Sequence, residues 1–303
     1  MLREDLQTEF DSLLPGQSTG AGATRRTAIK AALGVGYAAS VLPIMAQTAI
    51  KTSTAGLTAG EVSIDVNGFK MRAYRAAPAG KTHLPVVLVV QEVFGVHEHI
   101  ADVARRFAKA GYLAIAPELY QRQGDPSQYT EIGKLVSELV SKVPDAQVLG
   151  DLDATLRWAG ANGGNSAKVG ITGFCWGGRI TWLYTAHNKN VKAAVAWYGR
   201  IVGQVSELTP RNPIDLAGSL NGPVLGLYGA ADSGIPLDTV DKMKAALAEA
   251  GAKGNAAAKG SEFVVYPDTP HAFHADYRAS YRKGPAEDGW TRALAWFQQH
   301  GVA

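Results

Sequence analysis

The sequence predicts an α/β fold, a mostly parallel central sheet of about eight strands with helices on both faces. Three observations predict it. From residue 61 onward, short apolar runs alternate with longer amphipathic segments, the pattern of parallel strands joined by crossover helices. Pro85-Val-Val-Leu-Val-Val90 is apolar throughout, as a strand covered on both faces must be. Gly173-Phe174-Cys175-Trp176-Gly177-Gly178 links an apolar run, Lys168–Thr172, to a helix-like segment, Arg179–His187. A reactive side chain between glycines in a strand–turn–helix context is the pattern of a nucleophile elbow, with Cys where Ser usually sits.

The elements follow in order. Glu61–Val66 and Phe69–Arg75 alternate with period two around Asn67-Gly68, a strong hairpin signal. After the apolar strand at Pro85–Val90, the spacing predicts a helix over Ile100–Ala110 and a strand over Gly111–Ala116. Two helices are predicted over Tyr129–Val143 and Ala146–Ala161, leading to the elbow strand at Lys168–Thr172. Lys192–Tyr198, Pro223–Tyr228 and Glu262–Tyr266 read as the remaining strands, and Pro285–His300 as a closing amphipathic helix. No internal repeat or second core is visible, so residues 61–303 form one predicted domain.

With 303 residues and 46% hydrophobic content the chain can bury a substantial core. A formal charge of +3 without a basic run carrying interleaved aromatics gives no reason to expect a nucleic-acid partner. The single cysteine, Cys175, excludes an internal disulfide and a Cys-based metal site. His97 and His99 alternate around Glu98 without a third ligand at suitable spacing, so no metal is expected. No Gly-rich phosphate loop follows the first strand, so no nucleotide cofactor is expected either.

Residues 1–46 read as an export address. Thr24-Arg25-Arg26-Thr27-Ala28-Ile29-Lys30 resembles the twin-arginine motif, with Ala28 in place of the usual bulky aromatic. The weakly apolar stretch Ala31–Ala46 is too short and mild to span a membrane, and a cleavage site falls after Ala46. Residues 47–60 read as a flexible lead-in. The expected partner is the twin-arginine export machinery, the expected compartment is the periplasm or beyond, and no stable membrane insertion of the mature chain is expected.

A thiol at an elbow needs a base within reach, and the base needs an orienting acid. Asp232 follows the strand at Pro223–Tyr228, and His271 follows the strand at Glu262–Tyr266. Nucleophile, acid, histidine is the chain order of the α/β-hydrolase fold, so Cys175, Asp232 and His271 are the expected triad. His274 competes with His271, which lies nearer the strand end. Asp238 and Asp268 compete with Asp232, but the first falls in the next helix and the second sits too close to the histidine. Backbone N–H groups of Trp176 and Val93 are the candidate oxyanion hole. Phe94, Tyr120, Trp176 and Phe273 lie near these residues in sequence, as either an apolar substrate wall or ordinary core aromatics.

Four ordered blocks resemble the dienelactone hydrolase family (carboxymethylenebutenolidases). They are Val89-Val90-Gln91-Glu92-Val93-Phe94-Gly95-Val96-His97, Ala116-Pro117-Glu118-Leu119-Tyr120, Val169 through Gly178, and His271-Ala272-Phe273. The resemblance implies hydrolysis of a lactone or small carboxylic ester through a thioester on Cys175. It also implies that Glu92 accepts a hydrogen bond from the resting thiol. It further implies two arginines for a substrate carboxylate, for which Arg278 and Arg122 stand at the nearest positions; Arg179 reads instead as a structural ion pair. A thioesterase or aryl esterase with the same triad, and a ligand-binding protein without turnover, are the competing readings.

Overall fold

The computed structural model describes residues 50–303. The predicted twin-arginine segment and its cleavage site lie outside the described residues. Eight strands form one sheet: β1 (Leu57–Val66), β2 (Phe69–Pro78), β3 (Leu84–Val90), β4 (Leu113–Pro117), β5 (Gly164–Phe174), β6 (Val191–Trp197), β7 (Val224–Gly229) and β8 (Glu262–Tyr266). Their spatial order is β1-β2-β4-β3-β5-β6-β7-β8. The pairs β1/β2 and β2/β4 are antiparallel and the rest are parallel. This is the α/β-hydrolase sheet that the alternation predicts. Helices cover both faces: α1 (Glu98–Lys109), α2 (Ile132–Glu138), α3 (Asp145–Ala161), α4 (Trp176–His187), α5 (Leu237–Ala252), α6 (Ala256–Lys259) and α7 (Lys283–Gln299).

Each strand's composition matches its place. Val86 through Val90 are fully buried, because β3 lies between β4 and β5 with helices above and below. Asn67 and Gly68 adopt φ of 52° and 90°, the two left-handed positions of a type I′ turn, and Val66 pairs with Phe69 in register. The chain leaves β3 toward β4 on one side, then returns past β3 and proceeds from β5 to β6 on the other. The connections therefore diverge between β3 and β5, where Val90 pairs with Gly173. At such a switch point the loops beyond the two carboxyl ends part and leave a crevice.

Two predicted segments differ from the structure. Of the predicted lead-in, the described residues 50–60 include regular backbone: β1 begins at Leu57, and the Thr52 N–H donates to Asp102 at 2.5 Å. Residues 57–60 lack the clean alternation that marks the rest of β1, but they gain ladder bonds to residues 75–78 of β2. The single helix predicted over Tyr129–Val143 is broken into α2 and a 3₁₀ turn at Val140–Lys142. There Ser137 and Ser141 donate to the carbonyls of Lys134 and Ser137, a local bond that competes with regular helix.

At the elbow, packing demands glycine. A β-carbon on Gly173 would lie 2.2 Å from the Gly177 carbonyl oxygen. One on Gly177 would meet the Gln91 oxygen at 2.4 Å, and one on Gly178 the Trp197 oxygen at 2.5 Å. These approaches press the start of α4 against the ends of β3, β5 and β6. Gly173→Ala is expected to destabilise the protein by about 3 kcal/mol or more, the upper range for overpacking. Gly150→Ala, at an open position in α3, should be neutral or stabilise by up to about 1 kcal/mol. Urea unfolding of the two variants checks the contrast.

Candidate active site

Cys175 links β5 to α4 with φ 56° and ψ −117°, a backbone that a residue with a β-carbon adopts only when its surroundings enforce it. The enforcing bonds are visible: the Cys175 N–H donates to the Trp197 carbonyl at 3.0 Å, and its carbonyl accepts from Gly178 at 2.9 Å. The thiol is buried. Trp176 is the first residue of α4, so its N–H belongs to the turn that has no intrahelical acceptor. Val93 lies in the tight turn closed by the Glu92–Gly95 bridge beyond β3. Because Gly177 touches the end of β3, both peptide segments border the same crevice.

His271 and Asp232 come from the loops after β8 and β7. His271 Nδ1 lies 2.6 Å from Asp232 Oδ2, with both side chains buried. The loops are pinned together by Ala231 N–H donating to the Thr269 carbonyl at 3.0 Å. Asp232 is itself fixed by the Gly234 N–H on Oδ1 at 3.0 Å. With Nδ1–H directed to the carboxylate, Nε2 becomes the acceptor in the neutral ring. Cys175 lies within hydrogen-bonding and electrostatic reach of this imidazole, although Nε2 has no bond of good geometry among the described residues; such bonds often tighten only with substrate. Burial alone would lower the His271 pKa, but Asp232 and the thiolate form of Cys175 outweigh it and raise it, so the imidazolium paired with a thiolate is the form these charges stabilise.

The competitors fall away on geometry. His274 is buried in an aromatic stack, 5.0 Å from the Phe174 ring and 4.5 Å from that of Trp197, and burial holds it well below its usual pKa. Asp238 is exposed and pairs with Lys242 at 2.8 Å. Asp268 occupies a turn at φ 49°.

Glu92 is buried just beyond β3. Its Oε2 accepts from the Tyr277 hydroxyl at 2.7 Å, a partner absent from the sequence expectation. His97 Nε2 stands 3.7 Å from the same oxygen, too far for a hydrogen bond but close enough to act by charge. Burial would push the Glu92 pKa up, yet the nearby His97, His99 and Arg278 outweigh it and hold it at about 2. The group is therefore a carboxylate at neutral pH.

The aromatic and arginine expectations divide. Arg278 sits over the Phe94 ring at 5.3 Å and acts on Glu92, which places it at the site. Tyr120 is buried edge-on against half-buried Trp176 at 4.8 Å. Phe273, by contrast, is enclosed by Trp197, Tyr198 and Tyr266, so it is a core aromatic and not a substrate wall. Arg122 pairs with Asp151 at 2.5 Å and covers the Phe69 ring at 4.2 Å. Its charge is neutralised there, which removes it from the expected carboxylate clamp. Arg179 forms the predicted structural pair, bidentate to Asp145 at 2.7 Å.

Tyr198 is a residue the sequence reading missed. It follows β6 at φ 38°, its ring meets His271 edge-on at 5.1 Å, and its hydroxyl lies in electrostatic reach of Glu92 and Cys175. Burial foremost, with those charges added, raises its pKa well above the usual range, so it stays a neutral donor. The signal was the register, since Tyr198 directly follows Trp197, the partner of Phe174.

An elbow thiol beside a His–Asp pair at the switch point defines a protein of the α/β-hydrolase class. Residues 71–301 match the dienelactone hydrolase family, and the chain belongs to that family. A Methylorubrum extorquens protein named "Putative carboxymethylenebutenolidase" is 57% identical over 98% of this chain and 100% of its own. A Salmonella typhimurium protein of the same name is 55% identical over 88% of this chain and 96% of its own. The crystal structure of a "Putative Dienelactone Hydrolase" from Klebsiella pneumoniae superposes with a TM-score of 0.77 at 59% identity. It covers 80% of this chain and 99% of its own. Family membership makes this protein a hydrolase acting on ester bonds.

Glu118, in the second sequence block, supports the crevice from outside. Its Oε2 accepts from the Val96 N–H at 3.3 Å, and burial raises its pKa to about 6. A carboxyl with a raised folded pKa stabilises the fold at low pH and loses that contribution as pH rises through about 6. Glu118→Gln is therefore expected to stabilise the protein at pH 7.5 by about 2 kcal/mol, the equivalent of the shift, and to be neutral at pH 4. Urea unfolding at the two pH values checks this.

Proposed function

We propose that this protein hydrolyses a lactone or small carboxylic ester through Cys175. The observation that carries the reading is the elbow thiol within reach of an imidazole whose Nδ1 is held 2.6 Å from buried Asp232. His271 Nε2 takes the thiol proton as sulfur attacks the ester carbonyl. The negative oxygen that develops is stabilised by the N–H groups of Trp176 and Val93, each worth about 3–4 kcal/mol in such a role. His271, now protonated and stabilised by Asp232, gives its proton to the departing oxygen. In a lactone that oxygen stays attached through the ring, so the intermediate is a ring-opened thioester. His271 then deprotonates water, which attacks the thioester carbonyl and regenerates the thiol.

The site favours a compact substrate. Trp176 and Phe94 supply apolar surface, with Tyr120 buried behind Trp176, while Arg278 beside Phe94 is the one arginine of the expected pair that remains at the site. A substrate carboxylate would thus meet one guanidinium, without the second expected from the resemblance. The names borne by the relatives point to an enol-lactone acid of the carboxymethylenebutenolide type, and its enolate leaving group suits a thiol catalyst.

Cys175→Ala is expected to lower kcat/KM on a dienelactone and on p-nitrophenyl acetate by at least about 10³-fold, with a covalent thioester trapped on the wild-type enzyme by acid quench and seen by mass spectrometry. Retained activity in that variant would overturn the reading. We further propose that residues 1–46 direct export by the twin-arginine route, supported by Arg25-Arg26 ahead of a mild apolar stretch. Replacing both arginines by lysine should leave the protein in the cytoplasmic fraction, as immunoblots of cell fractions will show.

A further inference from the structure

The turn that carries the Val93 N–H is held from outside by a carboxyl group that the reaction itself does not use. A bridge between Glu92 and Gly95 closes the turn, and Gly95 stands at φ 77°. A β-carbon on Gly95 would lie 3.1 Å from Pro126 Cγ and 3.4 Å from Glu118 Oε2, so the turn is seated against the segment after β4. The same Glu118 oxygen accepts from the Val96 N–H at 3.3 Å. Glu118 is fixed in turn by its own peptide. Its N–H donates to the Arg72 carbonyl at 2.9 Å, and the Arg72 N–H donates to Gln121 Oε1 at 2.6 Å. A carboxyl tied to β2 is thus applied to the far end of the turn. Beside it opens a cavity of about 220 Å³, walled by Glu61, Arg72, Tyr74, His97 and Glu98, through which a proton can reach Glu118.

We propose that Glu118 is a positioning residue of the oxyanion hole: its carboxylate holds the Val96 peptide, and through the Gly95 turn the Val93 N–H, where the substrate oxygen gains its charge. The inference rests on the thiol reading above, with Val93 as a donor, and adds the group that keeps this donor in place. An ionised oxygen accepts more strongly than a neutral one, so the turn is held best when Glu118 is charged. Burial raises the Glu118 pKa to about 6, and the grip therefore tightens as pH rises through that value. The charged groups around it come from four elements: Arg72 on β2, Glu61 on β1, Asp125 ahead of the 3₁₀ turn at Pro126–Gln128, and His97 and Glu98 at the start of α1. Burial has the largest effect; Asp125 and Glu61 add to it, and Arg72 opposes it.

The test compares two reactions of Cys175, one that builds charge on an oxygen and one that does not. In Glu118→Ala, kcat on p-nitrophenyl acetate at pH 7.5 should fall by about 10–100-fold, short of the loss of a whole oxyanion donor. KM should move by less than about threefold, since the lost contact acts in the transition state. Alkylation by iodoacetamide, which forms no oxyanion, should keep its wild-type rate. Glu118→Gln, the more stable protein by the prediction above, keeps a neutral acceptor and covers the case in which Glu118→Ala does not fold. Its kcat should be about fivefold below wild type at pH 7.5 and equal to it at pH 5, where Glu118 is itself neutral. Titration of His271 and Cys175 is common to both proteins and cancels in that ratio. An unchanged kcat in Glu118→Ala, an equal fall in kcat and alkylation, or a ratio that stays flat from pH 5 to 8 would overturn the inference. Any of these alongside an inactive Cys175→Ala leaves the thiol reading standing; activity in Cys175→Ala removes that reading and this inference with it.

Discussion

The left-handed backbone of Cys175 is the constraint on which the site depends. It costs free energy of order 1–3 kcal/mol and persists because three glycines let β3, β5, β6 and α4 meet backbone to backbone. The same contacts fix where the thiol points and bring the Trp176 N–H to the crevice. The switch point between β3 and β5 does the rest, since the residue after each strand emerges beside the other. Glu92 and Cys175 are therefore neighbours by topology, although 83 positions separate them in the chain.

Around this anchor the electrostatics separate two acids by environment. Asp232 is committed to His271 through a 2.6 Å contact and makes the imidazole a strong proton holder. Glu92 is kept ionised by the histidines and arginine around it. One carboxylate thus braces the imidazole, while the other stands beyond the end of β3, the strand that pairs with the one leading to Cys175. Tyr198 bridges the two regions, with its ring on His271 and its hydroxyl near Glu92.

Much of this was legible in the sequence because it rests on local pattern. Apolar runs gave the strands, and glycine spacing gave the elbow. The positions of Asp232 and His271 just past strand ends placed them at one edge of the sheet. What was not legible depends on three-dimensional pairing. Arg122 and Phe273 lie near site residues along the chain, yet Asp151 and three aromatic rings claim them. Tyr277 and Tyr198 carry no motif, and only the folded register brings them to Glu92 and His271. The broken helix after Tyr129 escaped because serine back-bonding competes with a pattern that is otherwise helical.

The grip of Arg106 and His99 on Asp276 ties a segment that enters from the β8 side to a helix packed on β2 and β4. That tie joins elements that belong to the two sides of the divergence between β3 and β5. Parting the halves would strand a buried charge, at a cost of about 3–5 kcal/mol. Substrate entry by a clamshell motion is disfavoured for that reason, and access falls to the rotamers of rim side chains such as Trp176 and Phe94. Turnover in this enzyme should then depend little on solvent viscosity and strongly on the bulk of the group that must pass the rim.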